Sequence, residues 1–81
     1  MDTIIVHRVK ALLAETFQVP AEELTTNLAF GDLPQWDSMG HMDVMMTLEE
    51  HFGVEINTDT IGELISVPAI CAYLVEKSNH G

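Results

Sequence analysis

The chain has 81 residues, 47% of them hydrophobic and 20% charged, which is the composition of one small globular domain over residues 1–81. Three Lys and Arg stand against 13 Asp and Glu, a formal net charge of -10. That balance excludes a nucleic-acid binder, which needs a basic face, and disfavours docking on anionic membranes. The longest apolar runs are only a few residues, too short to span a bilayer. Met1-Asp2-Thr3 places no basic segment ahead of an apolar run, so no secretory leader is expected. The single cysteine, Cys71, has no internal disulfide partner, which suits a reducing cytoplasm.

Four helical stretches follow in order. Ile5, Val9, Leu12, Leu13 and Phe17 recur at spacings of three and four, which predicts a first helix from about Thr3 to Phe17. Thr3 suits its cap, and Val19-Pro20 stops it. Residues 18–37 form a long connection rich in turn formers. Leu24, Leu28, Phe30, Leu33 and Trp36 are spread along it to pin it to the core, with a short helical turn near Ala21–Leu24. A second helix is expected over Ser38–Phe52, with Asp37 or Ser38 as cap and Gly53 just past its end. A short third helix covers about Asp59–Leu64. The fourth starts after Ser66, carries Pro68 in its first turn and runs to about Lys77, with Asn79-His80-Gly81 frayed. No segment alternates like a strand, so the fold class is all-α: a four-helix bundle with a long loop between helices 1 and 2 and a short third helix.

The second helix carries two apolar faces. Val44, Met45, Leu48 and Phe52 fall within an arc of about 100° and form the core side. Met39, Met42 and Met46, spaced i, i+3, i+7, fall opposite, among Asp43, Glu49 and Glu50. A helix outside a small bundle needs one apolar face. A second stripe of flexible methionines among carboxylates is a surface for partners. The bland alternative packs Met42 or Met46 under the long loop.

Ser38 stands at the start of that helix, where an exposed hydroxyl can be modified and the helix terminus favours an attached phosphate. By themselves, Asp37 and Ser38 are more simply a cap. The wider string, Asp37-Ser38-Met39-Gly40-His41-Met42-Asp43-Val44 through Leu48-Glu49-Glu50-His51-Phe52-Gly53-Val54-Glu55-Ile56, resembles the signature of acyl carrier proteins. The order of elements resembles that family over the whole chain. The resemblance implies an acyl-carrier-protein-like bundle with 4′-phosphopantetheine attached covalently to Ser38. It implies a phosphopantetheinyl transferase as loading partner, and acyl-loading and acyl-processing enzymes (a ligase or acyltransferase, ketosynthase-type enzymes) as later ones. Residues matching Asp37, Met39, Met42, Asp43, Met46 and Glu49 usually face partner enzymes in the family, in agreement with the helical wheel.

Primary fatty-acid carriers usually have an acidic residue, then Thr or Ser, after the Ser-Leu pair, where this chain has Gly40-His41. Trp36 before Asp-Ser and Gly-His after it look more like discrete carriers of polyketide or mixed peptide–polyketide pathways. A peptidyl carrier with aminoacyl cargo and a fatty-acid carrier are the alternatives. Gly40 is expected to permit a close approach near the arm.

A carrier needs no catalytic residue of its own. An enzyme built on Asp37, Ser38 and His41 lacks the glycine of a nucleophile elbow, since Trp36 occupies that position. Ser38 and His41 would share one exposed turn with no oxyanion hole. The chain has no calcium-loop spacing and its histidines show no metal spacing, so neither a metal nor a catalytic set is expected. A small acidic interaction module with Ser38 as a mere cap is the non-carrier alternative. His7 reads as a solvated or half-buried helix residue and Cys71 as a small core residue. Trp36 is read as a loop anchor or as a contact for the arm or a partner. The protein is expected to be a cytoplasmic monomer whose acidic helix speeds docking.

Overall fold

Among the described residues a computed structural model shows four α-helices: α1 (Thr3–Phe17), α2 (Ser38–Phe52), α3 (Thr58–Glu63) and α4 (Val67–His80). The structure describes residues 3–80, with side chains as far as Lys77. Met1, Asp2 and Gly81 lie outside them, and with them the readings of a leader and of a frayed last residue. No helix among the described residues is long and apolar enough to cross a membrane.

The buried face of α1 is Val6, Val9, Leu13 and Phe17. Val6 replaces the expected Ile5 on the inner line, and Ile5 and Leu12 flank it half-buried. Thr3, expected as the cap, is already helical. The helix ends one step before Val19-Pro20, where Gln18 turns left-handed at φ 57°. The Val19 amide then donates back to the Ala14 carbonyl at 3.0 Å.

The long connection is held by both side chains and backbone. Leu24, Leu28 and Trp36 are buried, with a short 3₁₀ turn at Ala21–Glu23. Phe30 is 43% exposed and does not enter the core as expected. Its stretch is pinned by backbone instead, in an antiparallel bridge between Ala29 and Ser66. Phe30 N–H donates to the Ile65 carbonyl at 2.7 Å, and Val67 N–H to that of Leu28 at 2.8 Å. The connection is thus tied to the link between α3 and α4.

Val44, Met45 and Leu48 of α2 are buried and Phe52 is half-buried, which is the expected inner arc. Gly53 closes the helix in the left-handed conformation, φ 70°, where glycine has no Cβ penalty. The third helix starts one residue earlier than expected because Asn57 caps it. Its side chain accepts from Thr60 N–H at 2.9 Å, and Thr60 Oγ1 accepts from Asn57 N–H at 3.0 Å. Ser66 caps α4, accepting from Ala69 N–H at 3.1 Å, and Pro68 sits in the first turn. The fourth helix continues to His80, beyond the expected Lys77, since no glycine or proline intervenes before Gly81. Its Val67, Ile70, Cys71 and Leu74 complete an apolar cluster built from α1, α2, α4 and the connections, against which Ile61 of α3 packs.

Candidate functional site

The start of α2 is fixed by its own sequence. Asp37 is the cap, with extended backbone and Oδ1 accepting from Gly40 N–H at 2.8 Å. That leaves Ser38 as the first helical residue. It is exposed, and no hydrogen bond among the described residues engages its hydroxyl. The first amides of a helix have no intrahelical acceptor. Asp37 takes that of Gly40, and no hydrogen bond among the described residues takes those of Ser38 and Met39, a setting suited to an anion on the Ser38 oxygen.

Trp36 and His41 bracket this turn. Trp36 is wholly buried. Its indole N–H donates to His41 Nδ1 at 3.1 Å, and the rings stack with centroids 6.3 Å apart. An indole N–H can only donate, so the His41 proton sits on Nε2. From there it donates to the Ile61 carbonyl of α3 at 2.8 Å. His41 is 5% exposed, so Ser38 and His41 do not share an exposed turn. Both its nitrogens are engaged, and none is left to take a proton from Ser38. The balance between loop anchor and partner contact for Trp36 resolves to anchor, since its ring also meets Phe17 at 5.6 Å.

Gly40 allows a close approach, though to the chain itself. A Cβ there would run into the Gln35 carbonyl of the incoming loop. The close approach expected near the arm is that of the loop backbone leading to Ser38.

The residues expected to meet partners, Asp37, Met39, Met42, Asp43, Met46 and Glu49, are all exposed. Met39 is 81%, Met46 59% and Met42 40% exposed, so none is packed under the loop. Met42 joins Ser38, Phe30, His41, Ile61 and Ile65 around an apolar groove of about 450 Å³. Asp43 and Met46 instead line a groove of about 450 Å³ between α1 and α2, with Glu15 and Glu50 on its rim. Glu49 is exposed and lines neither. Sequence reasoning missed Phe30, Ile61 and Ile65 as walls beside Ser38. It also missed the Trp36–His41 pair, although the two stand at N′ and N4 of a helix capped by Asp37, the spacing of a hydrophobic staple.

The bundle thus presents the uncommitted Ser38 hydroxyl at a capped helix start, beside an apolar groove. The chain matches the family described as the phosphopantetheine attachment site over residues 7–74. It is 30% identical over 73 residues to the acyl carrier protein of Thermosynechococcus vestitus, covering 90% of each chain. To the acyl carrier protein of Chlamydia trachomatis serovar D it is 31% identical over 71 residues, covering 88% of this chain and 92% of the relative. The chain belongs to the acyl carrier protein family, whose members are non-catalytic carriers of a phosphopantetheine arm.

Proposed function

We propose that the chain works as one carrier domain over residues 1–81, with Ser38 bearing the arm. The observation that carries this reading is the exposed Ser38 hydroxyl, left uncommitted because Asp37 does the capping. A phosphopantetheinyl transferase transfers the arm of coenzyme A, as its phosphate, to Ser38 Oγ. A P–O bond forms at the serine, the pyrophosphate bond breaks, adenosine bisphosphate leaves, and the transferase takes the seryl proton. The bound arm supplies a thiol that holds cargo as a thioester. This chain's residues expose the attachment oxygen, offer the amides of Ser38 and Met39 to the phosphodiester, and present Met39, Met42, Asp43, Met46, Glu49 and the cap Asp37 to partners. The cargo is acyl, handed among acyl-loading and acyl-processing enzymes. Trp36 and Gly40-His41 support a specialised polyketide or mixed pathway over primary fatty-acid synthesis.

The test is intact-protein mass after incubation with coenzyme A, Mg²⁺ and a promiscuous phosphopantetheinyl transferase. A gain of one phosphopantetheine, absent from Ser38→Ala, is expected. A folded chain that gains nothing, or a Ser38→Ala variant that still gains, overturns the assignment.

A further inference from the structure

The third helix has six residues, too few to hold together alone in water. Its amino end is secured locally by Asn57 and Thr60. At its carboxyl end Leu64 N–H donates to the Thr60 carbonyl at 2.9 Å, and the carbonyls after that one have no intrahelical donor. Ile61 supplies one of those carbonyls, and His41 Nε2–H of α2 donates to it at 2.8 Å. Among the described residues this is the side-chain hydrogen bond that ties α3 to α2. The same imidazole accepts from Trp36, on the other side of Ser38 along the chain. One buried side chain therefore joins the loop before Ser38, the turn that holds it, and the far wall of the groove beside it. Phe30, edge-on to His41 at 5.8 Å, completes the contact.

We propose that His41 is a positioning residue for loading: it locks α3 onto the first turn of α2 and so holds the Ser38 turn and its groove in the form the transferase engages. The proposal rests on the reading of Ser38 as the attachment site. His41 takes no part in the transfer itself, because neither ring nitrogen faces Ser38 unoccupied. Its effect falls on recognition of the carrier, and hence on KM.

Two polar replacements separate the two bonds. Asparagine places an oxygen near the Nδ1 position and keeps the partner of Trp36, but it is too short to reach Ile61. Glutamine places an N–H near the Nε2 position and reaches it. The experiment compares the full-length apo-protein with His41→Asn and His41→Gln, by amide exchange of α3 against α1 and by kcat and KM of transfer from coenzyme A. In His41→Asn, exchange of the α3 amides rises at least about tenfold while α1 stays protected. Its KM as carrier rises about threefold or more with kcat little changed. His41→Gln stays near wild type in both. Equal behaviour of the two variants overturns the proposal, as does a His41→Asn protein with wild-type exchange and KM. So does faster exchange in α1 and α3 alike with KM unchanged, which is a stability effect alone. A wild-type chain that takes no arm defeats the Ser38 reading and the loading role with it, whereas the exchange data still report the hold of His41 on α3.

Discussion

The carbonyl of Gln35 lies where a side chain on Gly40 would begin. Helix propensity favours alanine over glycine here by about 1 kcal/mol. The clash is with backbone, which cannot swing aside like the end of a long side chain, and overpacking of this kind costs about 1–3 kcal/mol. The clash wins, so Gly40→Ala destabilises the protein and displaces the loop before Ser38. Urea unfolding measures the first effect, and the rate of phosphopantetheine transfer the second. A more stable Gly40→Ala protein would show that the loop yields freely.

The reverse holds at Gln18, a non-glycine residue at φ 57° closing α1. The left-handed region costs an ordinary residue about 1–2 kcal/mol, and glycine adds back about 0.5–1 kcal/mol of unfolded-state entropy. Gln18→Gly is therefore expected to stabilise by up to about 1.5 kcal/mol. A urea or thermal midpoint lower than wild type would refute this.

Met42 and Asp43 are neighbours in sequence that face different grooves. Met42→Glu places a charge beside Ser38, and Asp43→Lys reverses one on the α1–α2 side. Both positions are exposed, so helical circular dichroism is unchanged in each. Met42→Glu raises the KM of transfer at any salt concentration, because it removes an apolar contact. Asp43→Lys raises KM mainly at low salt, because it removes steering. Loss of the helical signal would place either residue in the core.

The bundle was legible because its apolar periodicity is strong and its boundaries are chemically plain: Pro20 and Gly53 end helices, and Ser66 starts one. Ser38 and its exposed methionine face were legible for the same reason, together with the family signature. The groove beside Ser38 was not. Phe30, Ile61 and Ile65 are far apart in sequence and meet only through the backbone pairing of the loop with the α3–α4 link. The sequence puts His41 on one exposed helical turn with Ser38, and the structure buries it. Its burial depends on two hydrogen-bond partners, Trp36 five residues before it and Ile61 twenty after it. Helical periodicity carries no record of such partners.

Cys71 is wholly buried in α4, and burial raises its thiol pKa above the ordinary value of 9.0 by disfavouring the thiolate. The unfolded chain ionises first as pH rises. Stability from this group is thus intact below about pH 9 and declines as pH climbs through the unfolded and then the folded pKa. The folded apo-protein should resist a maleimide at neutral pH and react with one equivalent in urea. One rapid equivalent in the folded loaded protein then counts the arm's thiol. Fast labelling of folded Ser38→Ala would contradict the burial of Cys71.

The charge of -10 is carried on a body of 34 × 27 × 19 Å. At about 0.01 M salt the screening length is about 30 Å, so carboxylates repel one another across most of the molecule. At about 0.15 M it falls to about 8 Å, and only neighbours interact. Of the three cations, Arg8 lies over the Phe52 ring at 4.9 Å, and Lys77 donates to the Gly53 carbonyl at 2.5 Å. Those two contacts cap and cover α2 without cancelling a carboxylate. Added salt is therefore expected to raise the melting temperature, each 1 kcal/mol of relieved repulsion giving about 4–8 °C in a domain of this size. Mg²⁺ should do so at lower ionic strength than Na⁺, because a divalent counterion gathers more strongly around a net charge of -10. A melting curve that does not move between about 0.01 and 0.15 M NaCl would mean that repulsion does not limit the stability of the fold.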